Sequence, residues 1–214
     1  MSRRALANLV ILVLAACSPG EPAAGAPGAR QAGDSGRREV AVFAGGCFWS
    51  VEANFERMPG VVAAVSGFAG GSVVNPTYDQ VVRGGAGHLE AVQVTYDPAR
   101  ISYRQLVDGF WLTIDPTDPD GQFCDRGAPY ATAVFASASQ RPAAEASRRA
   151  AAARLGPARF VTPVRDAARF WPAEAHHQDF ARLNPVRYGG YSRFCGRAAR
   201  LRAVWGESGP IATG

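Results

Sequence analysis

A stretch at residues 18–38 sets the limits of any folded domain in this 214-residue chain. It is rich in Pro, Gly, Ala and Ser and has almost no bulky apolar side chain. Such a segment cannot bury enough apolar surface to offset the entropy lost on ordering. With Cys17 it is predicted to form a flexible tether over residues 17–38. The remaining residues, 39–214, are numerous enough to bury a hydrophobic core as one domain.

The first 17 residues indicate an export signal. A short basic start, Met1 to Arg4, precedes an apolar run from Leu6 to Ala16 that is too short to span a bilayer permanently. The run ends in Leu-Ala-Ala-Cys17, which resembles the bacterial lipobox, in which the Cys becomes the lipidated first residue. We therefore expect a signal peptide over residues 1–16, lipidation of Cys17, and a domain held at the periplasmic side of a bacterial membrane. An ordinary signal peptide with an incidental Cys is the alternative.

The formal charge of +5 does not indicate a nucleic-acid-binding protein. Five of the 23 basic residues, all Arg, lie in residues 1–38 beside two acids, which leaves 18 Arg against 16 acids in the domain. These Arg are scattered along the sequence, so a solvated surface explains them. Hydrophobic residues make up 47% of the chain and Cys only four positions, which excludes disorder throughout and a disulfide scaffold.

Apolar runs and helical spacings mostly alternate along the domain. The patterns predict strands at 39–44, 61–68, 88–96, 130–136 and 160–164, and helices at 47–58, 103–112, 140–155, 173–183 and 197–205. Residues 69–87 are predicted to be a long Gly-rich loop of the kind that is usually functional. The fold class is therefore α+β, an α/β sandwich with a single mixed sheet, flanking helices and a long irregular C-terminal tail from Pro185.

Cys47 follows Gly45 and Gly46 at the predicted junction between the first strand and the first helix. The unpaired N–H groups of a helix N-terminus favour a thiolate, which is the nucleophilic form of Cys. Two glycines allow a sharp turn and leave room for a substrate. A buried, inert Cys is the alternative.

Glu90 is the second candidate for chemistry. Strand alternation places it on one face with Val92, Val94 and Tyr96, where burial would raise its pKa and keep it protonated. A protonated acid beside a nucleophilic Cys suits the reduction of a polar X–O bond. Alternatively, this face is solvated or an Arg neutralises the carboxylate.

Several short motifs surround these two residues in a fixed order: Gly45-Gly46-Cys47-Phe48-Trp49, Gly67-Phe68-Ala69-Gly70-Gly71, Pro76-Thr77-Tyr78, Gly87-His88-Leu89-Glu90-Ala91-Val92, Gln122-Phe123-Cys124-Asp125-Arg126-Gly127 and Ala175-His176-His177-Gln178-Asp179. Over residues 40–205 this series resembles the peptide methionine sulfoxide reductase A family.

The resemblance implies a role for each site residue. Cys47 would attack the sulfoxide sulfur and become a sulfenic acid, while Glu90 protonates the departing oxygen. Tyr78 and Tyr130 would hydrogen-bond that oxygen, and Asp125 would position the site through water. Phe48 and Trp49 would form the apolar wall that receives the S-methyl group.

The resemblance also implies substrate and partners. The expected activity is reduction of the S epimer of methionine sulfoxide, protein-bound and free, which repairs oxidised proteins. No cofactor is expected, because an external thioredoxin-like thiol would supply the electrons. A monomer is expected.

The resemblance also implies that a second Cys recycles the sulfenic acid. Many family members carry one or two recycling Cys residues in a Gly-rich C-terminal tail, and Cys195 lies in such a tail at residues 189–196. Its flexibility favours Cys195 as the resolving residue, since a disulfide needs α-carbons within about 7 Å. Cys124 is the alternative because it adjoins Asp125.

Three other functions remain open at this point. A metal site could use His176, His177 and Glu174, but adjacent helical His point apart and no tetrahedral spacing emerges, so no metal is expected and His177 is predicted to be structural. A Cys-dependent acyl-transfer enzyme would need a His oriented onto Cys47. A non-catalytic lipoprotein of the same fold is the third.

Overall fold

The structure, a computed structural model, describes residues 36–206. The predicted signal peptide, Cys17 and most of the predicted tether lie outside these residues. The strands are β1 Glu39–Gly45, β2 Val61–Ala69, β3 Leu89–Tyr96, β4 Gly121–Gln122, β5 Asp125–Arg126, β6 Thr132–Ala136, β7 Val164–Asp166 and β8 Phe170–Pro172. The α-helices are α1 Phe48–Glu56, α2 Tyr78–Val82, α3 Tyr103–Trp111, α4 Arg141–Leu155, α5 Phe180–Leu183, α6 Pro185–Phe194 and α7 Arg197–Trp205. Short 3-10 turns cover Ala128–Tyr130, Pro157–Arg159 and Ala175–His177.

The main sheet has six strands in the order β7-β6-β1-β3-β2-β8. All of its pairs are antiparallel except β6 with β7, which confirms the predicted mixed α+β architecture. The structure also contains a second sheet, where a single sheet was predicted: β4 and β5 form a separate two-stranded hairpin. Its turn consists of Phe123, in the left-handed region with φ +58°, and Cys124.

The core lies between the sheet and helices α1 and α3. Phe43 of β1 packs between Phe55 and Phe110, with ring centroids 4.6 and 5.0 Å away. The predicted capping box of α3 is present: the N–H of Gln105 donates to Ser102 Oγ at 3.2 Å and the N–H of Ser102 donates to Gln105 Oε1 at 2.9 Å. These local signals explain why α3 begins where the sequence predicts.

Two predicted elements differ from the structure near the end of the domain. The strand predicted at 160–164 shares only Val164 with β7, which runs on to Asp166, and the helix predicted at 173–183 is a 3-10 turn followed by α5. Asp179 interrupts that helix with φ +55°. The side chain of the preceding Gln178 donates to the carbonyl oxygens of Ser66 and Ala173, both at 2.9 Å, and so fixes the chain in a non-helical path.

The helix predicted at 197–205 is present as α7, but the irregular segment predicted before it is wrong, because Pro185–Phe194 form α6, with a turn at Cys195 and Gly196 between the two helices. Packing at both ends outweighs the low helix propensity of glycine. On α6, the Tyr188 hydroxyl donates to Ser50 Oγ at 3.2 Å. At the end of α7, the buried Trp205 Nε1 donates to the Ile114 carbonyl oxygen at 2.9 Å. Within residues 36–206, no helix is both long and apolar enough to cross a membrane.

Candidate active site

The turn between β1 and α1 places Cys47 at the N-cap of the helix, as predicted. Gly46 has φ +79°, and a Cβ there would lie 2.5 Å from Gln122 Cβ, so only glycine fits. Cys47 itself is 6% exposed and is the free Cys of the described residues. The double glycine thus brings the thiol under the β4–β5 hairpin rather than into solvent.

Glu90 of β3 lies beside this turn and is 1% exposed. Its Oε2 accepts the N–H of Phe48 at 2.9 Å. Burial, with a smaller effect from the charge of Asp125, raises the pKa of Glu90 to about 8 despite that hydrogen bond. The carboxyl therefore keeps its proton at neutral pH, which agrees with the prediction from strand alternation.

The prediction that Cys47 favours the thiolate is wrong for this structure. Burial, and then the charge of Glu90, raise the pKa of Cys47 to about 12, while contact with Tyr191 and the charge of Arg197 act in the opposite direction. Burial is the main cause, and the first free N–H of α1, which could have stabilised a thiolate, is already bonded to Glu90. Cys47 is consequently a thiol at neutral pH in this state.

The two predicted tyrosines meet at the site. Tyr78 begins α2, a short helix inside the loop predicted at 69–87, and its N–H donates to Glu174 Oε1 at 2.9 Å. Tyr130 ends the 3-10 turn that follows β5. The two hydroxyls lie close to each other, and burial followed by the charge of Glu90 raises the pKa of each. Both hydroxyls therefore remain protonated donors next to Glu90.

Asp125, the first residue of β5, completes the predicted set. One carboxylate oxygen accepts the hydroxyl proton of Tyr191. Burial raises the pKa of Asp125, and its own charge in turn raises the pKa values of Cys47 and Glu90. The structure therefore brings together all five predicted catalytic residues.

Aromatic rings line the helix side of the site, as predicted. The Phe48 ring contacts Tyr78 at 6.1 Å and His177 at 5.2 Å between centroids. Trp49 stacks on Phe180 at 3.7 Å, and its Nε1 donates to His177 Nδ1 at 3.2 Å. His177 is buried and hydrogen-bonded, as predicted for a structural residue.

A combination of a buried thiol, a protonated carboxyl and two tyrosine hydroxyls suits reduction of a polar sulfoxide. The family model for peptide methionine sulfoxide reductase matches residues 39–209. The chain belongs to the peptide methionine sulfoxide reductase family. It is therefore a thiol-dependent oxidoreductase that reduces methionine sulfoxide, which sets aside acyl transfer and a non-catalytic lipoprotein.

Individual relatives agree with this assignment. The chain is 50% identical over 170 residues to the peptide methionine sulfoxide reductase MsrA 2 of Rhizobium meliloti, covering 79% of this chain and 84% of the relative. It is 45% identical over 203 residues to MsrA 2 of Caulobacter vibrioides, covering 95% and 99%. Among solved structures, methionine sulfoxide reductase A of Corynebacterium diphtheriae superposes with a TM-score of 0.65 at 32% identity, covering 70% of this chain and 76% of the other. Reduced Mxr1 of Saccharomyces cerevisiae superposes with a TM-score of 0.66 at 26% identity, covering 72% and 89%.

The two candidate resolving cysteines of this reductase are bonded to each other. Cys124 and Cys195 form a disulfide with α-carbons 4.9 Å apart, while Cys47 is free. Cys124 is exposed and Cys195 is half-buried. The sequence analysis treated these residues as alternatives for resolving the Cys47 sulfenic acid and did not predict that they bond to each other.

The predicted absence of a metal remains a prediction. In the described part of the chain, the close group of possible ligands consists of Cys124, Asp125 and Cys195, and two of these form the disulfide. The rings of His176 and His177 lie 4.1 Å apart, so the expectation that they point apart is wrong. Both residues lie in the 3-10 turn Ala175–His177 rather than on an α-helix.

Two residues near the thiol were missed by sequence reasoning, and both lie in the tail. Tyr191 of α6 bonds Asp125 and contacts Cys47, and its ring lies edge-on to Trp49 at 6.2 Å. Arg197 of α7 is buried beside the same groups. Only the neighbourhood of Cys195 could have pointed to them, since no periodic pattern marks either residue.

Proposed function

We propose that this reductase acts on the S epimer of methionine sulfoxide, protein-bound and free, with Cys47 as nucleophile and Glu90 as general acid. The observation behind the proposal is the buried Glu90 carboxyl, which keeps its proton while held at 2.9 Å to the N–H that follows Cys47. A proton must reach the sulfoxide oxygen as its bond to sulfur breaks, and this carboxyl is placed to give it.

The proposed step balances without an added reagent. Cys47 Sγ attacks the sulfoxide sulfur, the Glu90 proton passes to the sulfoxide oxygen, and the thiol proton of Cys47 returns to the Glu90 carboxylate. The hydroxyl group then passes to the Cys47 sulfur as the S–O bond of the sulfoxide and the new bond between the two sulfurs both break, which releases methionine and leaves Cys47 as a sulfenic acid. The substrate sulfur gains the two electrons that Cys47 loses.

The remaining site residues stabilise that step. The hydroxyls of Tyr78 and Tyr130 supply hydrogen-bond donors to the sulfoxide oxygen as negative charge develops on it. Fixed donors of this kind in a buried site are usually the largest single contribution to lowering a reaction barrier. Asp125 is proposed to position these catalytic side chains through water. Phe48 and Trp49 provide the apolar surface for the S-methyl group, consistent with their contacts to His177 and Phe180.

Recycling is proposed to run through both remaining cysteines. Cys195 attacks the Cys47 sulfenic acid, releases water and forms a Cys47–Cys195 disulfide. Cys124 then attacks the Cys195 sulfur and frees Cys47. The free Cys47 beside a Cys124–Cys195 disulfide corresponds to the end of this relay. Tyr191, four residues before Cys195, already contacts the Cys47 thiol, so the tail lies within reach.

The electron donor is proposed to be a thioredoxin-like protein, with no prosthetic cofactor. One sulfur of the final disulfide belongs to the exposed Cys124, and an accessible sulfur is attacked most readily in thiol exchange. One of the similar yeast structures is described as a complex of Mxr1 with Trx2, although its likeness to this chain extends to the fold alone.

The site of action is proposed to be the periplasmic side of a bacterial membrane, with the chain anchored through Cys17 and acting as a monomer on oxidised proteins and peptides. The basic start, the apolar run and the Leu-Ala-Ala-Cys sequence support this location. A membrane-fed thiol donor would then replace the cytosolic one.

Turnover on separated epimers tests the proposed activity. With dithiothreitol as donor, the full chain is expected to convert the S epimer and leave the R epimer, with no loss of rate in the presence of a chelator. A thioester serves as the comparison substrate. Turnover of the R epimer at a similar rate, or hydrolysis of the thioester, would contradict the proposed specificity.

A further inference from the structure

Arg197, the first residue of α7, is a buried cation. It is 6% exposed, and none of its three guanidinium nitrogens has a hydrogen-bond partner among residues 36–206. The guanidinium lies on the ring of Phe123, with 4.0 Å between Cζ and the ring centroid. Buried charges in proteins are normally paired, so this side chain requires an explanation.

Stability does not explain Arg197. A positive charge in the first turn of a helix opposes the helix dipole, and α7 begins at this residue. The cation–π contact with Phe123 recovers only part of the hydration that the guanidinium loses. An apolar side chain of similar length would fill the same space without an unpaired charge.

The position of Arg197 relates it to the disulfide. Arg197 follows Cys195 by two residues, and the Phe123 ring beneath its guanidinium belongs to the residue before Cys124. The guanidinium therefore contacts the residue next to one disulfide partner and belongs to a residue two positions from the other. Neither sulfur is charged in a disulfide, and reduction is the reaction that creates an anion at this place.

Asp125 is the acidic group that faces both Arg197 and the disulfide, with its Oδ1 4.0 Å from Cys124 Sγ. Asp125 accepts the hydroxyl proton of Tyr191. The charge of Arg197 lowers the pKa values of Cys47, Asp125 and Tyr191, so its field extends across the site. The cation is thus close to the sulfur chemistry while its own hydrogen-bonding groups are unused within the described residues.

We propose that Arg197 is a positioning residue for recycling, whose guanidinium holds the thiolate released when the Cys124–Cys195 disulfide is reduced. This assignment rests on the proposed use of these two cysteines as the recycling pair.

The redox step balances in two exchanges. A donor thiolate attacks Cys124, the S–S bond breaks, and the electron pair stays on Cys195 as a thiolate beside Arg197. The second donor thiol then displaces Cys124, and the donor leaves as a disulfide. Two electrons pass to the cysteine pair, and the thiolates take protons from solvent according to their pKa values. During recycling, the same cation keeps Cys195 as the thiolate that attacks the Cys47 sulfenic acid.

Substitution of Arg197 should shift the chemistry of the pair. In the Cys47→Ser background, Arg197→Met should raise the lower thiol pKa of the reduced pair by at least about one unit, measured by pH-dependent iodoacetamide labelling of each Cys peptide. In a glutathione buffer, the disulfide should become about tenfold harder to reduce, equivalent to about 30 mV for a two-electron couple. Arg197→Lys should retain most of both values, because it keeps the charge.

A matched control separates charge at the disulfide from loss of an Arg–aromatic contact. Arg154 lies 5.3 Å from the Trp205 ring centroid, away from the cysteines, and Arg154→Met should change neither thiol pKa nor potential. The oxidised Arg197→Met chain should melt at the same temperature as the wild type or higher, because it loses an unpaired buried charge.

The outcomes are distinct. Unchanged thiol pKa values and potential in Arg197→Met would overturn the proposal, as would a potential shift that Arg197→Lys fails to rescue. A lower melting temperature in both Arg197 variants with unchanged thiol chemistry would make the residue structural. These measurements need no sulfoxide, so failure of the proposed reductase step would appear separately as absence of methionine after a single turnover.

Discussion

Replacing Glu90 with Gln tests the proton that the mechanism requires. Gln keeps the shape and an oxygen that can accept the Phe48 N–H, now 2.9 Å from Glu90 Oε2, but has no carboxyl proton. General-acid catalysis is worth about 10²–10⁴ in rate, which is the expected loss in the single-turnover rate constant at pH 7. Substrate binding should change little.

The pH dependence of the single-turnover rate provides a second quantitative test of Glu90. With the pKa of Glu90 raised to about 8 by burial, about nine-tenths of the carboxyl is protonated at pH 7 and about one-tenth at pH 9. The wild-type rate should therefore be level below pH 7 and fall about tenfold for each unit above 8. Glu90→Gln should show no such fall.

The assay isolates the chemical step. Cys124→Ser with Cys195→Ser stops the reaction at the Cys47 sulfenic acid, so one round of methionine formation is measured by rapid quench. Substrate is kept well below saturation, so that the profile reports groups of the free enzyme. An unchanged rate in Glu90→Gln, or the same decline above pH 8 in that variant, would refute the general-acid role.

Three further predictions address recycling, stability and location. Cys195→Ser should retain activity with dithiothreitol, which reduces the sulfenic acid directly, and lose most of its activity with a thioredoxin-type donor. Cys124→Ser should accumulate a Cys47–Cys195 crosslink that mass spectrometry detects. A Cys47–Cys124 crosslink in Cys195→Ser, together with full activity with that donor, would instead make Cys124 the resolving residue. Burial, with the charge of Glu56, raises the pKa of Glu52 to about 7, so its contribution to stability is present below the ordinary pKa of 4.5 and is lost as pH rises to 7. In denaturant titrations across this pH range, Glu52→Gln should remove up to about 3 kcal/mol of that decline in the free energy of unfolding. Plots of the free energy of unfolding against pH that run parallel for wild type and variant would contradict this. Cys17→Ala should give an uncleaved or mislocalised precursor, whereas soluble periplasmic protein of mature size would indicate an ordinary signal peptide.

Elements with local signals were predictable from sequence. The capping box of α3 and the apolar strands β1 to β3 depend on neighbouring residues, and they form where expected. The site residues Cys47, Glu90 and Tyr78 were also predictable, because each belongs to a short sequence motif and the fold brings these motifs together. The first part of the tail was not predictable, because α6 depends on distant partners such as Asp125 for Tyr191.

The protonation state of Cys47 shows the same limit. The sequence places the thiol at a helix N-terminus, where a lowered pKa is the ordinary expectation. The N–H of Phe48 is bonded to Glu90, a residue 42 positions away, and burial then dominates. Only the tertiary arrangement determines which of two neighbouring groups receives that hydrogen bond.

The most direct test of the central claim is a single turnover of the pre-reduced full chain on separated sulfoxide epimers, with Cys47→Ser beside it. The mechanism predicts at least one equivalent of methionine per enzyme from the S epimer, none from the R epimer, and none from either epimer with Cys47→Ser, because a hydroxyl cannot form the sulfenic acid. Methionine formed by Cys47→Ser, or from the R epimer by the wild type, would contradict the assignment of Cys47 as the nucleophile of an S-specific reductase.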